Sequence, residues 1–260
     1  MRETLEREAF LEALVSPGSV WSGVEVYPSL DSTNAEAARV GRPWYVVVTD
    51  HQQAGRGRMG RTWETPAGTS LTMSALVPAP PEGAGWVPLL AGLAVQRGIA
   101  DVTGLTSGLK WPNDVLLDSD DDRKVSGLLC ELVAAGVVVG IGVNVDQDRG
   151  ELPVDTATSL RLGGASAVSR LDLAVAVLGH LATLHAALVE GGAQAEAVRT
   201  AYRDSCRTIG QEVELHLGDG VRRATAQAVD DEGRLVVTGE AGPYAVAAGD
   251  VVHVRSAPQE

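Results

Sequence analysis

The segment from Gly55 to Arg61 is the part of this sequence whose residue types point most directly to chemistry. It contains three glycines and three arginines, in a chain whose formal net charge is −13. Glycine lets the backbone approach a ligand, and guanidinium groups hydrogen-bond to phosphate and carboxylate oxygens. The segment therefore predicts a cradle for a nucleotide phosphate, with a solvated loop as the alternative. It lacks the strand-to-helix context in which the G-x-G-x-x-G pattern marks a dinucleotide-binding fingerprint. It also lacks the Gly-Lys-Ser or Gly-Lys-Thr ending of a Walker loop.

A second polar cluster runs from Lys110 to Asp114 and has the sequence Lys-Trp-Pro-Asn-Asp. Pro112 restricts Trp111 to an extended backbone. The amide and carboxylate oxygens that follow could hold a polar ligand group or a magnesium ion. Because Pro-Asn-Asp is also common in turns, these residues taken alone favour a turn.

Lysine occurs at only two positions, Lys110 and Lys124. Arginine does not replace lysine where a compact ammonium group must fit, so either lysine is a candidate functional group, with chance retention as the alternative. Lys124 begins an apolar strand, and Gly127 leaves clearance for its side chain. Taken alone, a strand-end lysine that points to water is the simpler interpretation.

Two further segments offer polar groups at the ends of regular elements. Gly140 and Gly142 weaken an apolar strand unless another group must approach closely, and a β-bulge is the alternative. Asn144, at the end of that strand, offers a donor and an acceptor to a planar ring. The segment from Asp31 to Asn34 supplies helix N-cap chemistry, and a helix N-terminus also binds anionic or carbonyl groups.

The composition limits the possible classes of protein. A net charge of −13 disfavours binding to nucleic acid or to an anionic membrane. Cys130 and Cys206 have no spacing typical of disulfides or zinc sites, and no nucleophile elbow or metal-binding His pair occurs. The charged N-terminus lacks the apolar core of a signal peptide, and the apolar stretch from Leu128 to Val145 is interrupted by Glu131 and glycines, so a cytoplasmic protein is expected.

The elements that must position these groups follow from hydrophobic periodicity and from turn residues. Helices are predicted for residues 3–15, 35–40, 86–102, 171–190 and 193–207. Strands are predicted for residues 24–27, 44–49, 70–77, 109–117, 124–134 and 137–145, the last two forming a hairpin through Ala135-Gly136. This pattern predicts an α+β fold in which helices flank an antiparallel or mixed sheet.

The pattern of predicted elements changes after Gly210, where short strands alternate with tight turns. Turns are expected at residues 218–220, 230–233 and 239–242, which is typical of a small β-barrel. We therefore predict a larger domain of residues 1–209 and a small β-barrel domain of residues 210–260.

In their order along the chain, these segments resemble the biotin protein ligases. The matching segments are Asp31 to Asn34, Gln52 to Arg58, Gly60-Arg61, Trp63, Lys110 to Asp114, Lys124 to Gly127, Gly140 to Asn144 and Ala157 to Leu160. Residues 231–235 and 248–251 are similar to the small terminal domain of that family. The resemblance implies a catalytic domain related to the class II aminoacyl-tRNA synthetases, followed by a small SH3-like β-barrel.

The resemblance also implies a reaction in two steps. Biotin and ATP, with Mg²⁺, form biotinyl-adenylate and pyrophosphate, and the biotinyl group then passes to a lysine of a biotin carboxyl carrier domain, of an acyl-CoA or pyruvate carboxylase. The implied catalytic residues are Lys124, Arg56 and Arg58. The implied biotin-binding residues are Ser32, Thr33, Asn34, Gln52, Arg56, Gly57, Arg58, Lys124 and Gly127. The implied ATP and adenylate residues are Arg61, Trp63, Lys110, Asn113 and Asn144, and Asp114 is the candidate magnesium ligand.

Two departures from the family pattern affect what is expected. Met59 stands where a second basic residue is common, which lowers the charge of the loop. The chain has no room ahead of Asp31 for the winged helix-turn-helix of the regulatory members, so we expect no nucleic-acid partner and no repressor function. The alternatives are a lipoate ligase, a non-catalytic biotin sensor and a DNA-binding repressor. The Gly-Arg loop disfavours the first, Lys124 disfavours the second, and the third would require the winged helix-turn-helix domain.

Overall fold

The computed structural model describes residues 4–217, 220–247 and 249–254, in which a seven-stranded sheet carries the segments discussed above. Its strands are β1 (Gly23–Tyr27), β2 (Tyr45–Thr49), β3 (Ser70–Val77), β4 (Ser107–Lys110), β5 (Asp114–Leu117), β6 (Arg123–Val133) and β7 (Gly136–Asn144). Their order across the sheet is β1-β2-β3-β7-β6-β5-β4. Strands β1 and β2 are parallel and the other pairs are antiparallel, which confirms the predicted mixed sheet.

Helices cover both faces of this sheet. They are α1 (Arg7–Leu14), α2 (Thr33–Val40), α3 (Val87–Thr103), α4 (Arg170–Glu190) and α5 (Gly192–Ser205). One face packs on α3 and α4, whereas Ala37 of α2 packs on the other face against residues of β2, β3 and β7. Every residue of β3 and β7 is therefore buried, which explains why β7 is apolar over most of its length. In β3 the polar residues Ser70, Thr72 and Ser74 alternate with apolar ones and are nevertheless buried.

The small second sheet consists of short strands joined by tight turns, as predicted for the residues after Gly210. It comprises β8 (Glu212–Leu217), β9 (Gly220–Val229), β10 (Leu235–Gly239), β11 (Gly242–Val246) and β12 (Asp250–His253), all antiparallel. Its buried side chains join the core of the larger sheet in one continuous cluster. The division into domains at residue 209 therefore stays a prediction. Residues 1–3, the first two residues of the predicted turn at 218–220, and Ala248 of the segment 248–251 lie outside the described residues.

Several predicted boundaries differ from the structure for local reasons. Helix α2 begins at Thr33 because Ser32 is its N-cap, with the Ser32 Oγ accepting from the amide of Ala35 at 3.4 Å. The single extended segment predicted for residues 109–117 is two strands, because a turn at residues 111–113 folds β5 back onto β4. The β6–β7 turn lies at residues 134–135, one residue earlier than predicted.

Helix α4 has the length and the apolar composition of a membrane-spanning helix, with a mean hydropathy of 1.6 in its most apolar window. One side of it, which includes Leu173, Val177 and Leu181, is buried against α3. This packing is that of a core helix, which satisfies the same criteria of length and composition.

Candidate functional site

A cavity of about 1210 Å³ is lined by strands of the larger sheet, by the loops that join them and by the small sheet. All of the residues predicted from the sequence to bind or react line it, and they come from separate segments of the chain. They are Ser32, Thr33, Asn34, Gln52, Arg56, Gly57, Arg58, Arg61, Trp63, Lys110, Asn113, Asp114, Lys124, Gly127 and Asn144. The fold therefore brings the predicted site together, while the contact that each residue makes with a ligand stays a prediction.

The N-terminus of α2 is held against Gln52 at one end of the cavity. The Oε1 atom of Gln52 accepts hydrogen bonds from the amide of Thr33 at 2.8 Å and from its hydroxyl at 3.2 Å. Both residues are buried, and the bonds turn the carbonyl of the Gln52 side chain towards α2. A methyl group on Gly55 would overlap the Gln52 amide nitrogen, so the glycine is required by this close packing.

Asn34 ties α2 to the sheet. Its Nδ2 atom donates to the carbonyl of Leu129 at 3.1 Å and to Glu131 at 2.5 Å, and its Oδ1 atom accepts from the hydroxyl of Ser74 at 2.6 Å. A methyl group on Gly140 would overlap that same Oδ1 atom. The close approach expected at Gly140 is therefore present, and a buried amide is the group that approaches.

The indole ring of Trp63 lies over paired glycines of β6 and β7. Gly127 and Gly142 are opposite each other in the register of the two strands, and a methyl group on Gly142 would overlap the ring. A methyl group on Gly127 would lie 3.0 Å from the ring and 2.9 Å from the Lys124 ammonium. These glycines form a flat floor that accepts the ring, which is the physical reason for glycine inside two otherwise apolar strands.

Lys124 is held at both its backbone and its side chain. Its amide donates to the carbonyl of Thr156 and its carbonyl accepts from the amide of Thr158, both at 2.8 Å. Its ammonium nitrogen lies 2.6 Å from a carboxylate oxygen of Asp114 and 5.7 Å from the centre of the Trp63 ring. The side chain therefore points into the cavity, and the water-facing alternative that the sequence left open does not apply.

The segment from Lys110 to Asp114 is the tip of the β4–β5 hairpin. Lys110 and Asp114 are opposite each other in the register, so the tip presents an ammonium and a carboxylate from adjacent positions. The Nδ2 atom of Asn113 donates to the carbonyl of Leu128 at 2.9 Å, which fixes the tip against β6. These residues form the turn that the sequence favours. Because the turn also borders the cavity, it is compatible with the ligand-binding role that the family resemblance implies.

The Gly-Arg loop is closed by short-range backbone contacts. The amide of Gly57 donates to the carbonyl of Arg61 at 2.7 Å, and Met59 has a positive φ of 56°. The guanidinium of Arg58 donates to the carbonyl of Gly249 in the small sheet at 3.0 Å. The loop therefore spans the gap between the two sheets and carries its positive charge to the cavity wall.

Asn144 is held by a residue that reasoning from the sequence missed. The Nε2 atom of Gln147 donates to the Oδ1 of Asn144 at 3.1 Å and to the hydroxyl of Ser70 at 2.9 Å, and the Nδ2 of Asn144 donates to the carbonyl of Thr158 at 2.9 Å. Gln147 is fully buried. No local pattern marks Gln147, because it lies in a segment that the sequence indicates only as a loop.

Other residues along the cavity wall were also missed. They are Arg207, Gln211 and His253 from the small sheet and its approach, with Asp121, Asp122, Pro153, Val154, Thr156 and Ala157 from loops. The guanidinium of Arg207 forms ion pairs with Asp118 at 2.7 Å and with Asp122 at 3.1 Å. Acidic and basic groups therefore alternate at this end of the cavity.

Asp114 is the carboxylate that faces Lys124 in the cavity. Among the described residues, no three His, Cys, Asp or Glu side chains cluster closely enough to hold a metal ion by themselves. A single carboxylate fits magnesium only where substrate phosphates supply further oxygens, which is the usual mode for that ion.

Burial raises the pKa of the Cys130 thiol to about 12, so that thiol is not a nucleophile near neutral pH.

Comparison with protein families and known proteins gives consistent results. Residues 29–148 match the family model "Biotin/lipoate A/B protein ligase family", and residues 208–254 match "Biotin protein ligase C terminal domain". The chain is 34% identical to biotin--[acetyl-CoA-carboxylase] ligase of Mycobacterium tuberculosis, over 98% of each chain. It is 29% identical to the bifunctional ligase/repressor BirA of Bacillus subtilis, over 87% of this chain and 72% of that protein.

Solved structures give the same picture for the fold. The biotin protein ligase of Aquifex aeolicus in complex with biotin and ATP is 27% identical and has a TM-score of 0.74. The similarity covers 91% of this chain and 100% of the Aquifex chain. Both sheets therefore have counterparts in a solved structure of similar size.

Proposed function

This chain belongs to the biotin/lipoate A/B protein ligase family, and we propose that it transfers biotin to one lysine of a biotin carboxyl carrier domain without acting as a repressor. It is a biotin protein ligase that uses biotin and ATP. The observation that supports the residue roles below is the convergence of two arginines, Arg56 and Arg58, with Lys124 on one cavity.

In the first step, a biotin carboxylate oxygen attacks the α-phosphorus of ATP, and the bond to the bridging oxygen of pyrophosphate breaks. Two anions must approach each other, so the site has to supply positive charge where negative charge builds up. Lys124 lies between the two reacting groups, and Arg56 and Arg58 neutralise the carboxylate and the phosphate from the loop. The products are biotinyl-adenylate and pyrophosphate.

In the second step, the uncharged ε-amine of the carrier lysine attacks the carbonyl carbon of the mixed anhydride. The bond between that carbon and the phosphate oxygen breaks, AMP leaves, and the nitrogen loses a proton as the amide forms. Lys124 and the arginines stabilise the departing phosphate charge. A carrier domain is proposed as the acceptor because the relative from Mycobacterium tuberculosis is named a biotin--[acetyl-CoA-carboxylase] ligase.

Biotin binds in this proposal at the α2 end of the cavity. Its ureido ring offers two donors and an acceptor, and the Ser32 hydroxyl, the Thr33 hydroxyl and the Gln52 amide match them. The nucleotide lies on the side of Trp63, Lys110, Asn113 and Asn144, with Arg61 beside it. Magnesium would be held by Asp114 together with the phosphates, and it would offset phosphate charge.

The proposal that this ligase is not a repressor rests on charge. DNA binding is driven largely by basic residues that displace counterions, and the net charge of −13 opposes it. A gel-shift experiment at moderate salt tests this point, and retarded DNA in the presence of biotinyl-adenylate would contradict it. We also place the protein in the cytoplasm, where carboxylases and ATP are available.

The decisive experiment is intact-mass measurement of an apo carrier domain after incubation with the protein, biotin and magnesium ATP. A shift by one biotinyl group that requires ATP is expected. Pyrophosphate release without a shift would mean that the acceptor is wrong. A lack of both would contradict the ligase proposal and would favour a biotin sensor, and a shift only with lipoate would favour a lipoate ligase.

A further inference from the structure

Two buried tryptophans, one just before α3 and one in the β4–β5 turn, donate hydrogen bonds to one turn of the small sheet. The turn, residues 230–234, connects β9 and β10. The indole nitrogen of Trp86 donates to the carbonyl of Asp231 at 2.8 Å, and that of Trp111 donates to the carbonyl of Gly233 at 3.0 Å. Both tryptophan side chains are almost fully buried; the bond from Trp111 is buried as a whole, whereas the bond from Trp86 to exposed Asp231 is partly buried.

The turn has a fixed internal geometry. The carboxylate of Asp230 accepts from the amides of Glu232 at 3.0 Å and Arg234 at 2.9 Å. Gly233 has a φ of 81°, and a methyl group there would lie 2.8 Å from the carbonyl of Gly85. Because the turn is rigid and closely packed, its carbonyl groups are defined anchor points rather than mobile acceptors.

Trp111 differs from Trp86 in what it is attached to. It belongs to the tip of the β4–β5 hairpin, between Lys110 and Asn113, both of which line the cavity. Its backbone amide donates to the hydroxyl of Thr208 at 3.0 Å, so Trp111 is held at two points by residues on the small-sheet side. Trp86 instead precedes α3 and does not line the cavity among the described residues.

The hairpin tip is continuous with the proposed reacting groups. Lys110 is opposite Asp114 in the register, and Asp114 contacts the ammonium of Lys124. A displacement of Trp111 would therefore move Lys110 and Asp114 together. Removal of the anchor at Gly233 would act on the nucleotide side of the cavity, while the α2 end, where biotin is proposed to bind, has its own hydrogen bonds.

We propose that the turn at residues 230–234 is a positioning element for the nucleotide side of the site and that it acts through Trp111. The inference rests on the proposed function, because it assigns Lys110 and Asn113 to the nucleotide. Trp111 is a positioning residue: it does not contact the reacting atoms but sets where the hairpin tip lies. The small sheet thereby contributes to ATP binding through this contact, whether or not it also touches the nucleotide.

The chain offers a matched pair of substitutions. Trp111→Phe and Trp86→Phe each remove one buried indole N–H and leave one carbonyl of the same turn without its donor. Both variants are expected to lose stability, and Trp111→Phe more so, because its bond is fully buried and that of Trp86 is partly buried. Trp111→Phe is expected to raise the KM for ATP by up to about tenfold, the upper end of what one hydrogen bond contributes, with little change in the KM for biotin. Trp86→Phe is expected to leave both KM values within about twofold of wild type.

The measurement is pyrophosphate release with biotin and magnesium ATP varied separately, together with denaturant unfolding of each variant. Equal changes in the KM for ATP in the two variants, or no change in Trp111→Phe, would overturn the inference. If Trp111→Phe does not fold, Thr208→Val removes the second anchor with little change in volume, and a wild-type KM for ATP in that folded variant would equally overturn it. Failure of the wild-type protein to release pyrophosphate would instead contradict the proposed function, so the two failures are distinguishable.

Discussion

The ammonium nitrogen of Lys124 lies 2.6 Å from a carboxylate oxygen of Asp114, on the neighbouring strand of the sheet. Both side chains are partly exposed to the cavity, at 31% and 18%. The lysine is therefore held towards the cavity by a carboxylate before a ligand provides one. A substrate carboxylate and a phosphate can replace this partner, because an ion pair in contact with solvent contributes only about 1 kcal/mol or less.

Lys124→Ala is expected to abolish formation of biotinyl-adenylate while the protein stays folded. The reaction loses the charge that stabilises the approach of two anions, and stability falls by no more than about 1 kcal/mol because the ion pair is partly exposed. Pyrophosphate release and far-UV circular dichroism measure the two effects.

A neighbouring charge provides the control for this substitution. Arg123 pairs with Asp120 at 2.8 Å and does not line the cavity, so Arg123→Ala removes the adjacent positive charge from outside the site. It is expected to retain adenylation. Wild-type adenylation by Lys124→Ala would refute the role given to this lysine.

Asp114→Asn is expected to raise the magnesium concentration needed for half-maximal adenylation. The amide keeps the shape of the side chain but loses the charge that attracts a divalent cation. Titration of Mg²⁺ at saturating ATP and biotin measures this. An unchanged magnesium requirement would show that the phosphates alone hold the ion and would remove Asp114 from the metal site.

His185 predicts a pH dependence of stability that is independent of catalysis. Burial lowers the pKa of His185 below its usual 6.5, an effect partly offset by the hydrogen bond from its Nε2 to the carbonyl of Pro78 at 2.8 Å. In the unfolded chain the imidazole takes up a proton near pH 6.5, whereas the folded protein does so only at lower pH. The contribution is therefore fully present above pH 6.5 and is lost as the pH falls towards the lower, folded pKa.

Denaturant unfolding of wild type and His185→Gln between pH 5 and pH 8 measures this contribution. Glutamine can still donate to the Pro78 carbonyl but does not titrate, so the variant is expected to lose less stability on acidification than wild type. Identical slopes for the two proteins over this range would contradict the assignment to His185.

Local patterns were sufficient for the elements that form from neighbouring residues. The end of the strand Ser70–Val77 was predicted as observed because Pro78, Pro80 and Pro81 follow it. The cap of α2 was placed in the right segment because N-cap chemistry is local. The predicted site residues could be grouped only through their resemblance to a family, since each motif alone was compatible with a turn, a bulge or a surface loop.

The sequence could not reveal contacts between segments that are distant along the chain. Trp111 and Gly233 are 122 residues apart, and nothing near either residue specifies the other. The position of Gln147 beneath Asn144 likewise depends on how a loop returns to the sheet. Such contacts arise from the packing of whole elements, and no local pattern near either residue encodes them.

Gly142→Ala tests the floor beneath Trp63, where one added methyl group decides the outcome. The methyl would overlap the indole ring, and Trp63 is partly exposed, so the ring is expected to move rather than the strand. Stability should therefore fall by less than the roughly 1–3 kcal/mol typical of overpacking, whereas the KM for ATP should rise, because Trp63 is proposed to line the nucleotide side.

Gly179→Ala is the matched control. Gly179 is an exposed glycine of α4 with no atom within 4 Å of the added methyl. This variant should therefore gain up to about 1 kcal/mol of stability through helix propensity and keep the wild-type KM for ATP. Separate ATP and biotin titrations of both variants measure these effects. A wild-type KM for ATP in Gly142→Ala would mean that the position of the Trp63 ring does not matter for the nucleotide, and the ring would then serve only to cover the two glycines.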